Sequence, residues 1–298
     1  WDLAAGETLG IIGESGSGKS VGVEAIMGLI KSPPGHVSGE ILFEGRDILP
    51  IPESQRRELR GEELAMVFQD AMSALNPSLT IGYQVAEVYR LRRHCSQQDA
   101  RKKAVELMDR VRIPSARARL NNYPHEFSGG MCQRVMIATA LALDPRVLIA
   151  DEPTTALDVT VQRQIMALLS ELQREMGMAL VLITHDLGVV AEAVDRAMVM
   201  YAGTIVEAGD VEALFDSPSH PYTRGLLQSM PRINARGDRL YAIDGAPPAA
   251  GRLPPGCPFH PRCEMRVAEC SSMRPSLTPV SDTQQSACHL AGSLINAK

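Results

Sequence analysis

Eight residues near the start of the chain, Gly13-Glu14-Ser15-Gly16-Ser17-Gly18-Lys19-Ser20, fit the pattern G-x-x-x-x-G-K-[ST]. Glycines let successive backbone N–H groups turn inward around an anion. A helix starting at the end of the loop adds its positive dipole end. Lys19 has the reach for the β- and γ-phosphates of a nucleotide, and Ser20 carries a hydroxyl suited to Mg²⁺. On its own the run also reads as a Gly/Ser-rich turn with a chance Lys-Ser. An apolar strand before it (Thr8–Ile12) and a helical stretch after it (Lys19–Ile30) favour phosphate.

A second constellation lies in the middle of the chain. Val147-Leu148-Ile149-Ala150 is an apolar run that ends in Asp151 and Glu152. A buried strand of this kind delivers its carboxylates to the crevice at its C-terminal end. Asp151 suits Mg²⁺, directly or through water. Glu152 suits a general base, or a group that orients an attacking water. The plain alternative is a strand end with solvated carboxylates, and the phosphate loop upstream counts against it. A third run, Phe127-Ser128-Gly129-Gly130-Met131-Cys132-Gln133-Arg134, precedes an apolar helix at Val135–Leu143. Ser128 is a good helix N-cap there, and the helix start is an anion site.

The elements that must position these residues alternate between strand and helix. Short apolar strands are expected at Leu64–Phe68, Val147–Ala150 and Ala179–Thr184. Antiparallel pairs are expected at Ser38–Phe43 with its Gly45 turn, and at Met198–Tyr201 with Thr204–Ala208 around Ala202-Gly203. From Ala71 to Leu143 the pattern is mostly helical, with Pro77, Pro114 and Pro124 as punctuation. Val159–Glu175 is a further helix. Strand–helix alternation implies an α/β fold with a mostly parallel sheet under helical cover. After about Phe215 the composition shifts to Pro, Ser and Arg, as expected of a linker and a small loop-rich tail.

Composition narrows the function. Apolar residues make up 45% of the 298, enough for a substantial core, but aromatics are only 4%. The formal net charge of −5 argues against a nucleic-acid binder, which needs a basic face. The basic runs Arg90–Arg93 and Arg101–Lys103 read as solvated helix faces. No stretch approaches the roughly 20 apolar residues that span a bilayer, so the chain is expected to be soluble and any membrane role peripheral. The text begins mid-pattern at Trp1, and an incomplete N-terminus is expected.

The order of the motifs carries a resemblance. Phe127-Ser128-Gly129-Gly130-Met131 resembles the LSGGQ signature of ABC ATPases, with Phe and Met at its first and fifth positions. Gln69, after the strand Leu64–Phe68, resembles the Q-loop glutamine. Ala156-Leu157-Asp158 resembles the D-loop, and His185, after the strand ending at Thr184, resembles the switch histidine. Further stretches are similar to the ATPase subunits of dipeptide and oligopeptide importers, most of all the dipeptide type. They include Val67-Phe68-Gln69-Asp70, Leu75-Asn76-Pro77, Tyr123-Pro124-His125, the run from Ala150 to Val159, Val199–Gly203 and His220-Pro221-Tyr222-Thr223-Arg224-Gly225-Leu226-Leu227.

The resemblance implies a P-loop ABC ATPase nucleotide-binding domain at 1–215 with an inserted helical subdomain at about 71–143. A small Cys-rich C-terminal extension at 216–298 follows. It implies ATP hydrolysis that powers import of di- and oligopeptides, with Gly13 to Ser20 binding ATP. Glu152, His185, Gln69 and Lys19 would be catalytic, and Ser20, Gln69 and Asp151 would serve Mg²⁺. Ser128, Gly129, Gly130 and Met131 would face the ATP of a partner ATPase, more often a different chain than a copy. The implied partners are that second ATPase, two transmembrane permeases and, indirectly, an extracytoplasmic peptide-binding protein. The implied location is the cytoplasmic face of the cell (inner) membrane. Import of nickel or another small solute stays open. A non-transport ABC ATPase and a non-catalytic regulated partner are disfavoured by the motifs present and by the lack of a second ABC domain or a long coiled coil.

Two departures stand out. ABC ATPases stack adenine on an aromatic well upstream of the phosphate loop, and Trp1 is spaced too closely to be it. Cys132 sits where the family has a basic or small polar residue, with a slight weakening of phosphate electrostatics as one expectation. The chain has six cysteines, and Cys257, Cys263, Cys270 and Cys288 crowd into the Pro-rich tail. Such a tail buries little core, so a bound metal centre would help it fold. The resemblance points to a [4Fe–4S] cluster on these four thiolates. Zn²⁺ is the alternative, with His260 and His289 as further ligands, although the usual C-x₂₋₄-C spacing is missing. Free thiols in a loose tail remain the third reading.

Overall fold

A computed structural model of the chain describes residues 1–230 and 241–295. Among the described residues ten strands follow one another: β1 (Thr8–Ile12), β2 (Leu42–Phe43), β3 (Arg46–Asp47), β4 (Leu64–Val67), β5 (Val147–Asp151), β6 (Ala179–Thr184), β7 (Arg196–Tyr201), β8 (Thr204–Asp210), β9 (Thr278–Pro279) and β10 (Gln284–Ser286). The chain packs as two compact units, one of residues Trp1–Glu7 and Val23–Leu182, the other of Thr8–Gly22 and Ile183–Lys298.

The first unit is built on β4 and β5, which pair in parallel with Leu64 opposite Val147 and Val67 opposite Ala150. Both strands are continuous apolar runs because a parallel strand is covered on both faces. Every residue of β4 is buried, and so is β5 after Val147. Four helices follow the expected middle segment and its sequel: Ile81–Arg92, Gln97–Arg110, Gly129–Leu141 and Val159–Met176. Each begins at a side-chain cap, Thr80, Ser96, Ser128 and Asp158, whose oxygen accepts a first-turn N–H. Helix Gly129–Leu141 buries Cys132 through Ala138 without a break, so its sequence lacks a polar face. Helix Val159–Met176 keeps one, turning Ile165, Leu168, Leu169 and Leu172 inward.

The second unit carries the strand order β1-β7-β8-β10-β9. β1 is fully buried and runs parallel to β7, with Leu9 opposite Arg196 and Ile12 opposite Val199. β7 and β8 form the expected hairpin, turning at Ala202 (φ 48°) and Gly203 (φ 80°). Two positive φ values in succession match the twist of the flanking strands.

Three features differ from the sequence reading. The helix after the phosphate loop stops at Ile26 rather than Ile30. Gly28 takes φ 65°, and the Leu29 N–H reaches back to the Glu24 carbonyl, a glycine-terminated helix end. The tail is more ordered than its composition implies: Pro221–Gln228 is a helix, and β10 adds antiparallel to β8 with Gln284 opposite Gly209. β10 reads Gln-Gln-Ser and has no apolar alternation to reveal it.

A buried carboxylate explains that docking. Glu207 on β8 has no exposed surface. It accepts hydrogen bonds from the Ser219 N–H (2.6 Å) and hydroxyl (2.7 Å), the His220 N–H (3.0 Å) and Gln284 Nε2 (2.7 Å). Glu207→Ala strands these donors in a dry site and is expected to cost about 3–5 kcal/mol of stability. Urea unfolding checks this, and a loss below about 1 kcal/mol would contradict it. Beside it His220 is buried, which holds its imidazole down at about 3, and its Nδ1 accepts the Tyr222 N–H at 3.1 Å.

Candidate functional site

The phosphate loop leaves β1 and ends in helix Lys19–Ile26. Gly16 (φ 78°) and Gly18 (φ 99°) occupy conformations that side chains disfavour. At Gly13 a Cβ would run into the Met200 carbonyl and the Ser17 hydroxyl, so the loop needs glycine there. Lys19 is 5% exposed, and its ammonium donates to the carbonyls of Gly13 (2.7 Å) and Glu14 (3.1 Å). The charge therefore stands over the loop rather than in solvent. Ser17 is buried with its hydroxyl unbonded in the fold. Cradle, cation and spare hydroxyl suit a triphosphate.

Gln69 and Glu152 lie in the first unit, and the strand register brings them together. Each stands two residues beyond the paired positions Val67 and Ala150. Gln69 Nε2 donates to Glu152 Oε2 at 2.9 Å, and the Thr155 hydroxyl donates to the same oxygen at 2.9 Å. Glu152 adopts φ 44°, a left-handed backbone that is sparsely populated for a non-glycine residue and is often found at functional positions. Asp151, one residue earlier, is buried. Thr155 was not legible as part of this set, since a Thr after Asp-Glu-Pro-Thr carries no signal of its own.

Ser128, Gly129, Gly130 and Met131 form the exposed-to-half-buried start of helix Gly129–Leu141. The Ser128 hydroxyl accepts the Met131 N–H at 3.3 Å. A Cβ on Gly130 would come within 2.6 Å of Val161 Cγ1, so glycine permits the approach of the neighbouring helix. Asp158 caps that helix, accepting the N–H groups of Thr160 and Val161 at 3.0 Å each. Cys132 is fully buried, with its thiol 3.6 Å from the Pro124 carbonyl. Burial pushes that thiol's pKa up. It packs into the core rather than onto the exposed helix start. In the second unit His185 is exposed, just after β6, with Asp186 capping the next helix.

The four tail cysteines are free thiols that line one small cavity together with His260 and His289. Burial raises the thiol pKa of Cys257 and Cys263, and that of Cys288 to about 11. His260 Nδ1 lies 2.9 Å from the Cys257 carbonyl, and His289 Nε2 3.0 Å from the Met273 carbonyl. Among the described residues, no three His, Cys, Asp or Glu side chains gather as a single metal ion would need.

A phosphate-binding loop on a strand–helix turn and a strand-end Asp-Glu pair, set in a mixed α/β sheet, define a P-loop nucleotide-hydrolysing fold. The glycine-opened helix at Ser128 specialises it. Residues 1–155 match the family model described as ABC transporter, and residues 206–270 match Oligopeptide/dipeptide transporter, C-terminal region. The chain is 52% identical to the oligopeptide transport ATP-binding protein OppD of Escherichia coli (strain K12) over 92% of its length and 81% of that protein. It is 48% identical to the dipeptide transport ATP-binding protein DppD of the same strain, covering 97% and 88%. Among solved structures it is similar to the ATP-binding cassette MJ0796, a dimer bound to ADP and Pi. That likeness has a TM-score of 0.63 at 30% identity, over 71% of this chain and 88% of that one. The chain belongs to the ABC transporter ATP-binding family and is an ABC-type ATPase.

Proposed function

We propose that this chain hydrolyses ATP to power import of di- and oligopeptides. The observation that carries the reading is the match of residues 206–270 to the oligopeptide/dipeptide transporter C-terminal region, a part of the chain separate from the ATPase motifs. Residues 1–215 would be the nucleotide-binding domain, with the helical subdomain at about 71–143. Residues 216–298 would be the Cys-containing extension, of which 231–240 and 296–298 lie outside the described residues.

The site residues take the following roles. Gly13 to Ser20 hold the phosphates, with Lys19 supplying the cation. Ser20, Gln69 and Asp151 would serve Mg²⁺, Asp151 directly or through water, with phosphate oxygens supplying further ligands. Glu152 takes or orients the proton of the attacking water, and His185 and Lys19 meet the γ-phosphate charge. Ser128, Gly129, Gly130 and Met131 serve the nucleotide of a second, different ATPase subunit, with Asp158 nearby. Two permeases and, indirectly, an extracytoplasmic binding protein complete the complex, with this chain at the cytoplasmic face of the cell (inner) membrane. Among the described residues no helix is long and apolar enough to cross a membrane.

For the tail, Cys257, Cys263, Cys270 and Cys288 would hold a [4Fe–4S] cluster, which supplies four thiolate cross-links to a segment with little core. The cavity they share supports this, although among the described residues no three such side chains gather as a metal centre would need, and Zn²⁺ stays the alternative. Iron and sulfide assay after anaerobic purification decides, and finding neither rejects the cluster.

Affinity purification from detergent-solubilised native membranes tests the whole reading. Two permeases and a second ATPase are expected to accompany this chain. Recovery alone, or with ribosomal or DNA-bound proteins, would overturn transport.

A further inference from the structure

Glu14 is the second residue of the phosphate loop, and residues more than 200 positions away hold it. Its backbone N–H donates to the Tyr222 hydroxyl at 2.9 Å. Its carboxylate takes two parallel bonds from Arg262, Nη1 to Oε2 at 2.7 Å and Nη2 to Oε1 at 3.0 Å. The Arg262 side chain is 5% exposed and that of Glu14 29%. Bidentate pairs of this kind fix geometry as well as charge.

Arg262 is itself held. Its Nε donates to the Asp244 carbonyl at 2.9 Å, and its guanidinium lies 5.7 Å from the Tyr201 ring and 6.0 Å from the Phe259 ring. Those rings pack with Tyr222, Phe259 at 5.3 Å and Tyr201 at 4.7 Å. Arg262 falls between Cys257 and Cys263, on the stretch that lines the thiol cavity. The arrangement therefore ties the tail's cysteine stretch to the loop.

Its effect on an anion follows from charge. A carboxylate beside a triphosphate repels it, and more strongly in a half-buried setting than in water. Arg262 cancels that charge. The two backbone groups of Glu14 are fixed as well, the N–H by Tyr222 and the carbonyl by Lys19, so displacing Glu14 would also displace the Lys19 ammonium.

We propose that Arg262 and Tyr222 are positioning residues for the nucleotide: they neutralise and fix Glu14, so that ATP affinity depends on the folded state of the Cys-containing tail. The proposal rests on reading Gly13 to Ser20 as the ATP site. It is tested on the full chain purified with its partners, by ATPase kinetics and by equilibrium binding of a fluorescent ATP analogue. Arg262→Gln is expected to raise KM and Kd about tenfold with kcat within about threefold of wild type. Arg262→Lys, which keeps a charge but loses the fork, is expected to fall between. Removing the repelling carboxylate as well, in Arg262→Gln with Glu14→Gln, is expected to restore KM to within about threefold. An unchanged KM in Arg262→Gln overturns the proposal, and so does a double variant no better than the single one. Should Arg262→Gln fail to fold, the double variant decides: folded with near-wild-type KM upholds the proposal, unfolded overturns it. A wild-type chain that does not bind the analogue overturns the ATP-site reading and this proposal with it.

Discussion

Glu152→Gln is expected to lower ATP turnover by about 10²–10⁴-fold while ATP still binds. The substitution keeps the size of the side chain and its ability to accept from Gln69 and Thr155, so the strand end stays in place. It removes the basic carboxylate that would take or orient the proton of water. The left-handed backbone at Glu152 (φ 44°) aims this side chain from the end of β5, and the substitution leaves that backbone alone. Single-turnover hydrolysis and nucleotide trapping measure the two effects separately. Turnover within threefold of wild type would remove Glu152 from the chemistry.

Lys19→Ala is expected to weaken MgATP binding by about 10²-fold and to bring hydrolysis to background. A buried cation aimed at the loop has no substitute there, and helix-start N–H groups alone leave most of the phosphate charge unmatched. The substitution also leaves the Gly13 and Glu14 carbonyls without their shared donor. Overall stability is expected to fall by about 1–3 kcal/mol, because the buried Gly13 carbonyl loses its donor. Equilibrium titration with a fluorescent ATP analogue checks this, and unaltered affinity would contradict it.

Much of the site was legible because its chemistry is local in sequence. Gly13 to Ser20 form one turn, and Asp151-Glu152 form one strand end. Their meaning comes from residue type and immediate context, so strand and loop fell where the pattern put them, and the helix began there but ended early, at Ile26. The pairing of Gln69 with Glu152 is different. It depends on β4–β5 register, which needed the order of the motifs and not only their composition. The contacts of Glu14 were not legible at all. Tyr222 and Arg262 lie in a Pro-rich segment with no periodicity, and only the folded chain places them beside the loop.

The same reasoning explains the misses in the fold. β10 is held by backbone pairing and by the side chain of Gln284 on the buried Glu207, neither of which leaves an apolar pattern. Cys132 follows Ser128-Gly129-Gly130 closely in sequence, and the helix turns it into the core, a burial that adjacency alone does not reveal.

Uptake of a labelled peptide into membrane vesicles tests the central claim most directly. The vesicles are right-side-out, loaded with MgATP and supplied with the extracytoplasmic binding protein. They carry either the wild-type chain or Glu152→Gln. Uptake accompanied by ADP formation in the wild type, falling to background in the variant, is the predicted result. Equal uptake in both would contradict the claim that this chain's hydrolysis drives peptide import.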